Sequence, residues 1–252
     1  MKYPLFRKPD SYLRNREGGP LRGALKRAAE RRALGRCLDR LRRVRTLCDA
    51  PCGPGRLFRF WRRRGLRVSG VDLSGEMVEA ARAEAHRLGL EGAVRQADAF
   101  QLPRQAGARP DVVACVRFAY YFPRSRRIEL LRGLARASRR YVLVEYKTSE
   151  TLKGRRNLAR HSERKPYLAK HFCTYDEMRR ELAEAGLRGL AIVPIGPFSD
   201  RAFVLAERRP AGAPPAPAPV PVLRHPRRAA VAAAALLLAS LSAALLAVLG
   251  EG

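Results

Sequence analysis

Apolar residues along this chain follow two alternating patterns: short unbroken runs, and longer stretches in which they return every three or four positions. Short runs bounded by turn residues predict buried strands, and the wider period predicts one face of a helix. In LCDAPCGPGRLFRF (47–60) the first run predicts a strand ending at Asp49, a tight turn with Gly53 and Gly55, and the opening of a helix. RVSGV (67–71) predicts a second strand with Asp72 at its tip. Ser74 then caps a helix whose apolar face is Met77, Ala81 and Leu88. AVRQADAFQLP (93–103) and PDVVACVRF (110–118) predict the third and fourth strands; the third ends at Gln96 and leaves Asp98 in the following loop. A helix is expected from about Arg124, and RYVLVEY (140–146) predicts a fifth strand with Glu145 near its carboxyl end. Thr174 and Glu177 form a capping box before the helix YDEMRRELAEAGL, and LAIVPI and RAFVLAER predict a closing antiparallel pair.

The two ends of the chain depart from this alternation. Residues 1–43 predict a basic, helical cap, with Leu21, Leu25, Ala28, Leu34, Leu38 and Leu41 as the apolar stripe of its helix. That helix is expected to cover one side of the sheet, its arginines facing solvent or a membrane surface. The connection from Lys147 to Thr174 has no dominant apolar stripe and predicts an insertion or a substrate-side loop. Residues 210–228 are Pro/Ala-rich, with no means of building a core, and residues 229–249 form a charge-free apolar stretch. As a helix that stretch is long enough to span a membrane. Arg224, Arg227 and Arg228 before it favour a cytoplasmic domain held by a C-terminal anchor. The alternative is a cytoplasmic protein whose apolar helix packs in an oligomer.

Asp49, Asp72 and Asp98 thus stand at three successive strand ends. A glycine turn between strand and helix offers unpaired backbone N–H groups and the positive end of the helix to a ligand. An acid at the tip of the second strand is placed to accept from a ribose diol. Taken in order over residues 47–208, these motifs resemble the class I S-adenosylmethionine-dependent methyltransferases. The resemblance implies a Rossmann-like α/β fold, with a mostly parallel seven-stranded sheet and helices on both faces, over residues 44–209. It also implies S-adenosyl-L-methionine as cofactor. Asp49, Pro51, Gly53 and Gly55 would form the loop cradling its methionine part, Asp72 with Leu73 would bind the ribose, and Asp98 with Ala99 the adenine. Pro51 replaces the glycine that usually opens the loop, so the turn must differ in detail. The nicotinamide-binding alternative shares the βαβ logic, but its three-glycine fingerprint is incomplete here.

Charge and cysteine content then narrow the partners. The formal net charge is +28, carried mostly by arginine in a chain also rich in Ala, Gly and Pro. Because biased genome composition gives the same pattern, nucleic acid is not the preferred partner, and anionic headgroups or acidic substrates suit the arginines as well. Cys37, Cys48, Cys52, Cys115 and Cys173 lack metal-ligand spacing, so no metal is expected; Cys48 and Cys115 read as small buried hydrophobes suited to a reducing compartment. MKYPLFRKPDSYLRNREG carries charges where a signal sequence needs an apolar core.

Methyl transfer asks mainly for alignment of the acceptor, plus a base where the acceptor is a hydroxyl or a carbon acid. The candidates for proton removal are His171 first, then His161, Glu145 and Tyr121, with Tyr120 and Arg117 as substrate contacts. Arg117 follows the fourth strand directly, and its planar fork suits a carboxylate or phosphate. CVRFAYYFP lacks the Asn/Asp-Pro-Pro-aromatic motif of adenine methyltransferases, and Pro51-Cys52 lies in the cofactor loop rather than after the fourth strand. The expected acceptor is therefore a small molecule or lipid, methylated on oxygen or carbon near a membrane. The rivals are a methyltransferase of RNA or another macromolecule, and a non-catalytic, membrane-anchored protein of the same fold.

Overall fold

The computed structural model describes residues 20–90, 93–102, 109–161, 171–196, 199–209 and 220–223. Its centre is a sheet built from β1 (Thr46–Asp49), β2 (Arg67–Asp72), β3 (Val94–Gln96), β4 (Val112–Cys115) and β5 (Tyr141–Thr148), all parallel. β7 (Leu187–Pro194) and β8 (Arg201–Arg208) close it as an antiparallel pair, giving the order β3-β2-β1-β4-β5-β8-β7. β4 is apolar and buried throughout, and β1 is buried from Leu47 to Asp49, as central strands are when helices cover both sides. Between β1 and β4 the strand order reverses, which opens a crevice beyond their carboxyl ends.

Helices pack on both faces, as expected. α1 (Pro20–Leu38), α2 (Phe58–Arg63) and α3 (Gly75–Arg87) enclose one core, in which Phe58 and Trp61 are fully buried and anchor the short α2. Full burial of such a side chain contributes roughly 1.5–3 kcal/mol. α4 (Arg124–Ala137) and α6 (Tyr175–Glu184) enclose the other core through Leu130, Leu131, Leu134, Met178 and Leu182. Both cap readings hold: Ser74 accepts from the Met77 N–H, and Thr174 and Glu177 form a reciprocal capping box.

The structure differs from the sequence reading in four places. To the expected seven-strand path, β6 (Phe172–Cys173) adds an eighth strand among the described residues, two residues long and beside the end of β5. The stretch between β5 and β6 contains a helix, α5 (Leu152–His161), seated so closely that a Cβ on Gly154 would lie 1.9 Å from the Thr148 carbonyl oxygen. Leu21, Leu25 and Ala28 are exposed; beside the expected Leu34, α1 buries Glu30, Ala33 and Cys37 against β7 and β8. The Pro/Ala-rich stretch does contribute to the core near its end. Val222 bridges Ile192, the Ile192 N–H donates to the Pro221 carbonyl, the Leu223 N–H donates to the Ile192 carbonyl, and Val220 and Leu223 pack on the two cores.

The expected membrane-spanning helix, 229–249, lies outside the described residues. Among the described residues no helix is long and apolar enough to cross a membrane.

Candidate functional site

The turn after β1 is held by the end of β2. Gly53 and Gly55 take φ of 54° and 75°, the left-handed region that side-chain-bearing residues avoid. The Gly53 N–H donates to Asp72 Oδ2 at 2.9 Å, and the Ser74 N–H donates to Asp72 Oδ1 at 2.9 Å. Asp72 therefore both shapes the turn and starts α3. Gly55 has a packing role: a Cβ there would sit 2.9 Å from the Phe58 ring. The altered start of the loop takes the form of a cis Ala50–Pro51 bond, with the Cys52 N–H donating to the Val71 carbonyl.

Asp49, at the end of β1, is buried, and Trp61 Nε1 donates to its Oδ2 at 3.2 Å. Its Oδ1 is buried with no hydrogen-bond partner among the described residues. Burial pushes this carboxyl up to about 7, with the Trp61 hydrogen bond and the Arg56 charge opposing the shift. A buried carboxylate oxygen left open beside a glycine turn fits the ammonium of an amino-acid moiety such as that of S-adenosylmethionine. Asp72, largely buried, also has its carboxyl raised by desolvation, opposed by the N–H groups of Ser74, Gly53 and Leu73. Asp98 accepts from the Phe100 N–H at 2.9 Å, with Ala99 buried beside it and Leu73 half-exposed after β2. Phe100, Phe118 and Phe122 meet edge to face beyond these residues, and the Arg126 guanidinium lies 4.5 Å from the Phe100 ring centre.

A buried ionic cluster lies on the β4–β5 side of the crevice. Glu30 of α1, 1% exposed, accepts from Arg56 at 2.6 and 3.3 Å and from Arg117 at 3.0 and 3.2 Å. Arg201 Nη1 adds a third contact at 3.1 Å and reaches Glu145 at 2.8 Å. Glu145, fully buried, also accepts from the Arg117 N–H at 3.0 Å. Arg117 thus has its guanidinium on Glu30, and Glu145 is a counter-ion within the cluster. Sequence reasoning missed Glu30, Arg56 and Arg201. One signal was available: Glu30 is the lone acid of an otherwise basic helix, on the same stripe as Ala33, Leu34 and Cys37.

The His171 N–H donates to the Tyr120 carbonyl at 2.8 Å, bringing the candidate base to the turn after β4. Its imidazole is partly exposed, and desolvation together with the Arg127 charge lowers its pKa below the usual histidine value. Tyr120 is buried and its ring lies 4.8 Å from that of the half-buried Tyr121. Lys147, 5.9 Å above the Tyr120 ring, pairs with Asp200, which also accepts from Asn157 at 2.8 Å. His161 is the last residue of α5, and its side chain lies outside the described residues. At the opposite, amino-terminal edge of the strands, a cavity of about 770 Å³ is lined by Arg45, Arg67, Arg139 and Asp111. None of the residues expected to bind cofactor or substrate lines it.

The family described as Methyltransferase domain matches residues 47–140. The malonyl-[acyl-carrier protein] O-methyltransferase of Salmonella typhimurium is 41% identical over 66 residues, 24% of this chain and 26% of the relative. The indolepyruvate C-methyltransferase of Streptomyces griseus is 44% identical over 79 residues, 30% of this chain and 23% of the relative. The chain thus spans about a quarter of the length of these curated relatives. Among solved structures, magnesium protoporphyrin IX methyltransferase from Synechocystis, with bound S-adenosylhomocysteine, superposes with a TM-score of 0.60 at 20% identity. That match covers 79% of this chain and 94% of the other. The sheet order agrees with the fold of that structure. The chain carries the class I S-adenosylmethionine-dependent methyltransferase fold and, over residues 47–140, that family's methyltransferase domain.

Proposed function

We propose that this protein is an S-adenosylmethionine-dependent methyltransferase acting on oxygen or carbon of a small-molecule or lipid-like acceptor. The observation that carries the reading is the open, buried Oδ1 of Asp49 beside a glycine turn tied to Asp72. Asp49 and the turn would hold the cofactor's amino-acid end, Asp72 with Leu73 its ribose, and Asp98 with Ala99 its adenine. S-adenosylmethionine, when bound, supplies a methyl group already activated by its sulfonium. The protein's own residues then have to orient the acceptor, exclude water and take a proton. His171 suits proton removal, because its lowered pKa keeps the imidazole neutral near pH 7 and its backbone is fastened to Tyr120. The aromatic residues Phe100, Phe118 and Phe122 offer an apolar wall for the acceptor. Relatives named for malonyl and indolepyruvate substrates support a small acceptor.

Membrane attachment through 229–249 is the second element of the proposal. Its support is the charge-free run itself and the arginines at 224, 227 and 228. Because Leu223 is docked on Ile192, little chain separates the domain from that run, and the acceptor would be met close to the bilayer. The same proximity would let the arginine-rich surface gain from anionic headgroups.

The acceptor assignment is tested with radiolabelled S-adenosylmethionine and host extract. Label should enter the organic-extractable or small-molecule fraction, and label confined to RNA would overturn the acceptor assignment in favour of a macromolecular substrate. In parallel, the full chain should stay in the membrane pellet after carbonate washing and be released by deletion beyond Arg228. Release of the intact protein by salt alone would leave only a surface contact.

A further inference from the structure

The Glu30 cluster is more than a tie between α1 and the sheet. Arg56 comes from the turn after β1, Arg117 from the residue pair following β4, and Arg201 from the start of β8 opposite Lys147. They converge on one carboxylate beside the reversal between β1 and β4, where ligands of such sheets bind. Glu30 is gripped bidentately by both Arg56 and Arg117, the fork geometry with which arginine recognises carboxylates. Arg117 reaches this position with φ of 60°, a costly conformation for a side-chain-bearing residue and one that concentrates at ligand sites. Its backbone N–H is thereby aimed at Glu145. In these contacts three guanidinium groups converge on Glu30, and Arg201 also reaches Glu145. Glu30 enters from helix α1, whereas the arginines and Glu145 are fixed to strands and turns of the sheet.

From this we infer that Arg56, Arg117 and Arg201 form the recognition site for a carboxylate group on the acceptor, and that Glu30 occupies this site as an internal substitute until the acceptor displaces it. The inference rests on the methyltransferase reading and names its substrate class: acidic small molecules. α1 then serves as a latch, released when an external carboxylate takes over the arginines. Glu145 stays behind to hold Arg201 and the Arg117 backbone in place, so the site keeps its shape when Glu30 leaves.

The test uses the full chain saturated with S-adenosylhomocysteine in low-chloride buffer, with benzoate as the acidic probe and benzamide as its neutral counterpart. Glu30→Gln should bind benzoate roughly tenfold or more tightly than the parent, since freed guanidinium groups regain a charge-assisted partner. Benzamide affinity should not change, and adding Arg117→Gln should abolish the gain. Unaltered benzoate affinity in folded Glu30→Gln, or an equal gain for benzamide, would overturn the inference and leave a structural tie. If Glu30→Gln instead tightens S-adenosylhomocysteine and not benzoate, the arginines serve the cofactor and the acceptor assignment falls. Should the variant not fold, hydrogen exchange on the parent decides. Benzoate, unlike benzamide, should speed exchange in residues 20–38, and unchanged exchange at high benzoate refutes the latch. S-adenosylhomocysteine binding, measured on the same samples, separates failure of this inference from failure of the methyltransferase reading.

Discussion

The Gly53 N–H and the Asp72 carboxylate, nineteen positions apart in the chain, meet at 2.9 Å and join the ligand turn of β1 to the tip of β2. Asp72 thus shapes the turn and starts α3, and in the proposed function it would also face the ribose. Asp72→Ala should weaken S-adenosylhomocysteine binding by about 1.5–3 kcal/mol, the usual worth of a hydrogen bond to a charged group. Titration calorimetry on the parent and the variant measures it, and affinity within twofold of the parent would remove Asp72 from the site.

Asp49 gives the site a pH dependence whose sign follows from its burial. Its folded carboxyl is raised to about 7, above the ordinary value of 3.8, so the folded protein holds a proton that the unfolded chain has lost between those limits. In the ligand-free protein this group therefore makes stability fall as pH rises from about 4 to 7. An ammonium beside Asp49 favours the charged form and reverses the penalty. Affinity for S-adenosylhomocysteine should therefore rise from pH 6 to pH 8 by about tenfold, with protons released on binding at the lower pH. Asp49→Asn should bind weakly and lose this component of the pH dependence.

His171→Gln should reduce turnover at least about tenfold, within the range for loss of a general base, while leaving cofactor affinity nearly unchanged. Because burial and Arg127 depress the imidazole pKa, the parent should keep its rate as pH falls through 6.5 and lose it only further down. A rate within twofold of the parent would make His171 a bystander.

Beneath the site, Arg127 of α4 grips Glu181 of α6 at 2.5 and 3.0 Å, and the Tyr146 hydroxyl donates to the same carboxylate at 2.9 Å. All three side chains are buried. Glu181→Ala leaves a guanidinium buried without its partner and should cost about 3–5 kcal/mol of stability in urea unfolding. Replacing the exposed Glu79, paired with Arg82 on the surface of α3, should leave the unfolding midpoint nearly unchanged.

The βα alternation, the glycine turn and the acids at the ends of β1 and β2 and after β3 were all legible in the amino-acid order. They depend on local chemistry: the period of apolar residues, the φ that only glycine adopts easily, and the caps at Ser74 and Thr174. Which side chains meet was set by the folded chain as a whole. Periodicity defines the faces of α1 but not which one turns to the sheet, so Leu21 and Leu25 were expected inside and Glu30 was not. The buried arginines selected the face: Glu30 lies 26, 87 and 171 positions from Arg56, Arg117 and Arg201, and no local pattern encodes such pairings. The same holds for Val220–Leu223, whose proline-rich surroundings suggest an extended linker until the edge of β7 supplies backbone partners. Arg117 follows β4 closely, as expected, whereas Glu145 lies inside β5 rather than at its end, and the partners of both were set by charges brought in from elsewhere in the fold. A guanidinium keeps its proton even when buried, so it takes whichever carboxylate the fold brings beside it.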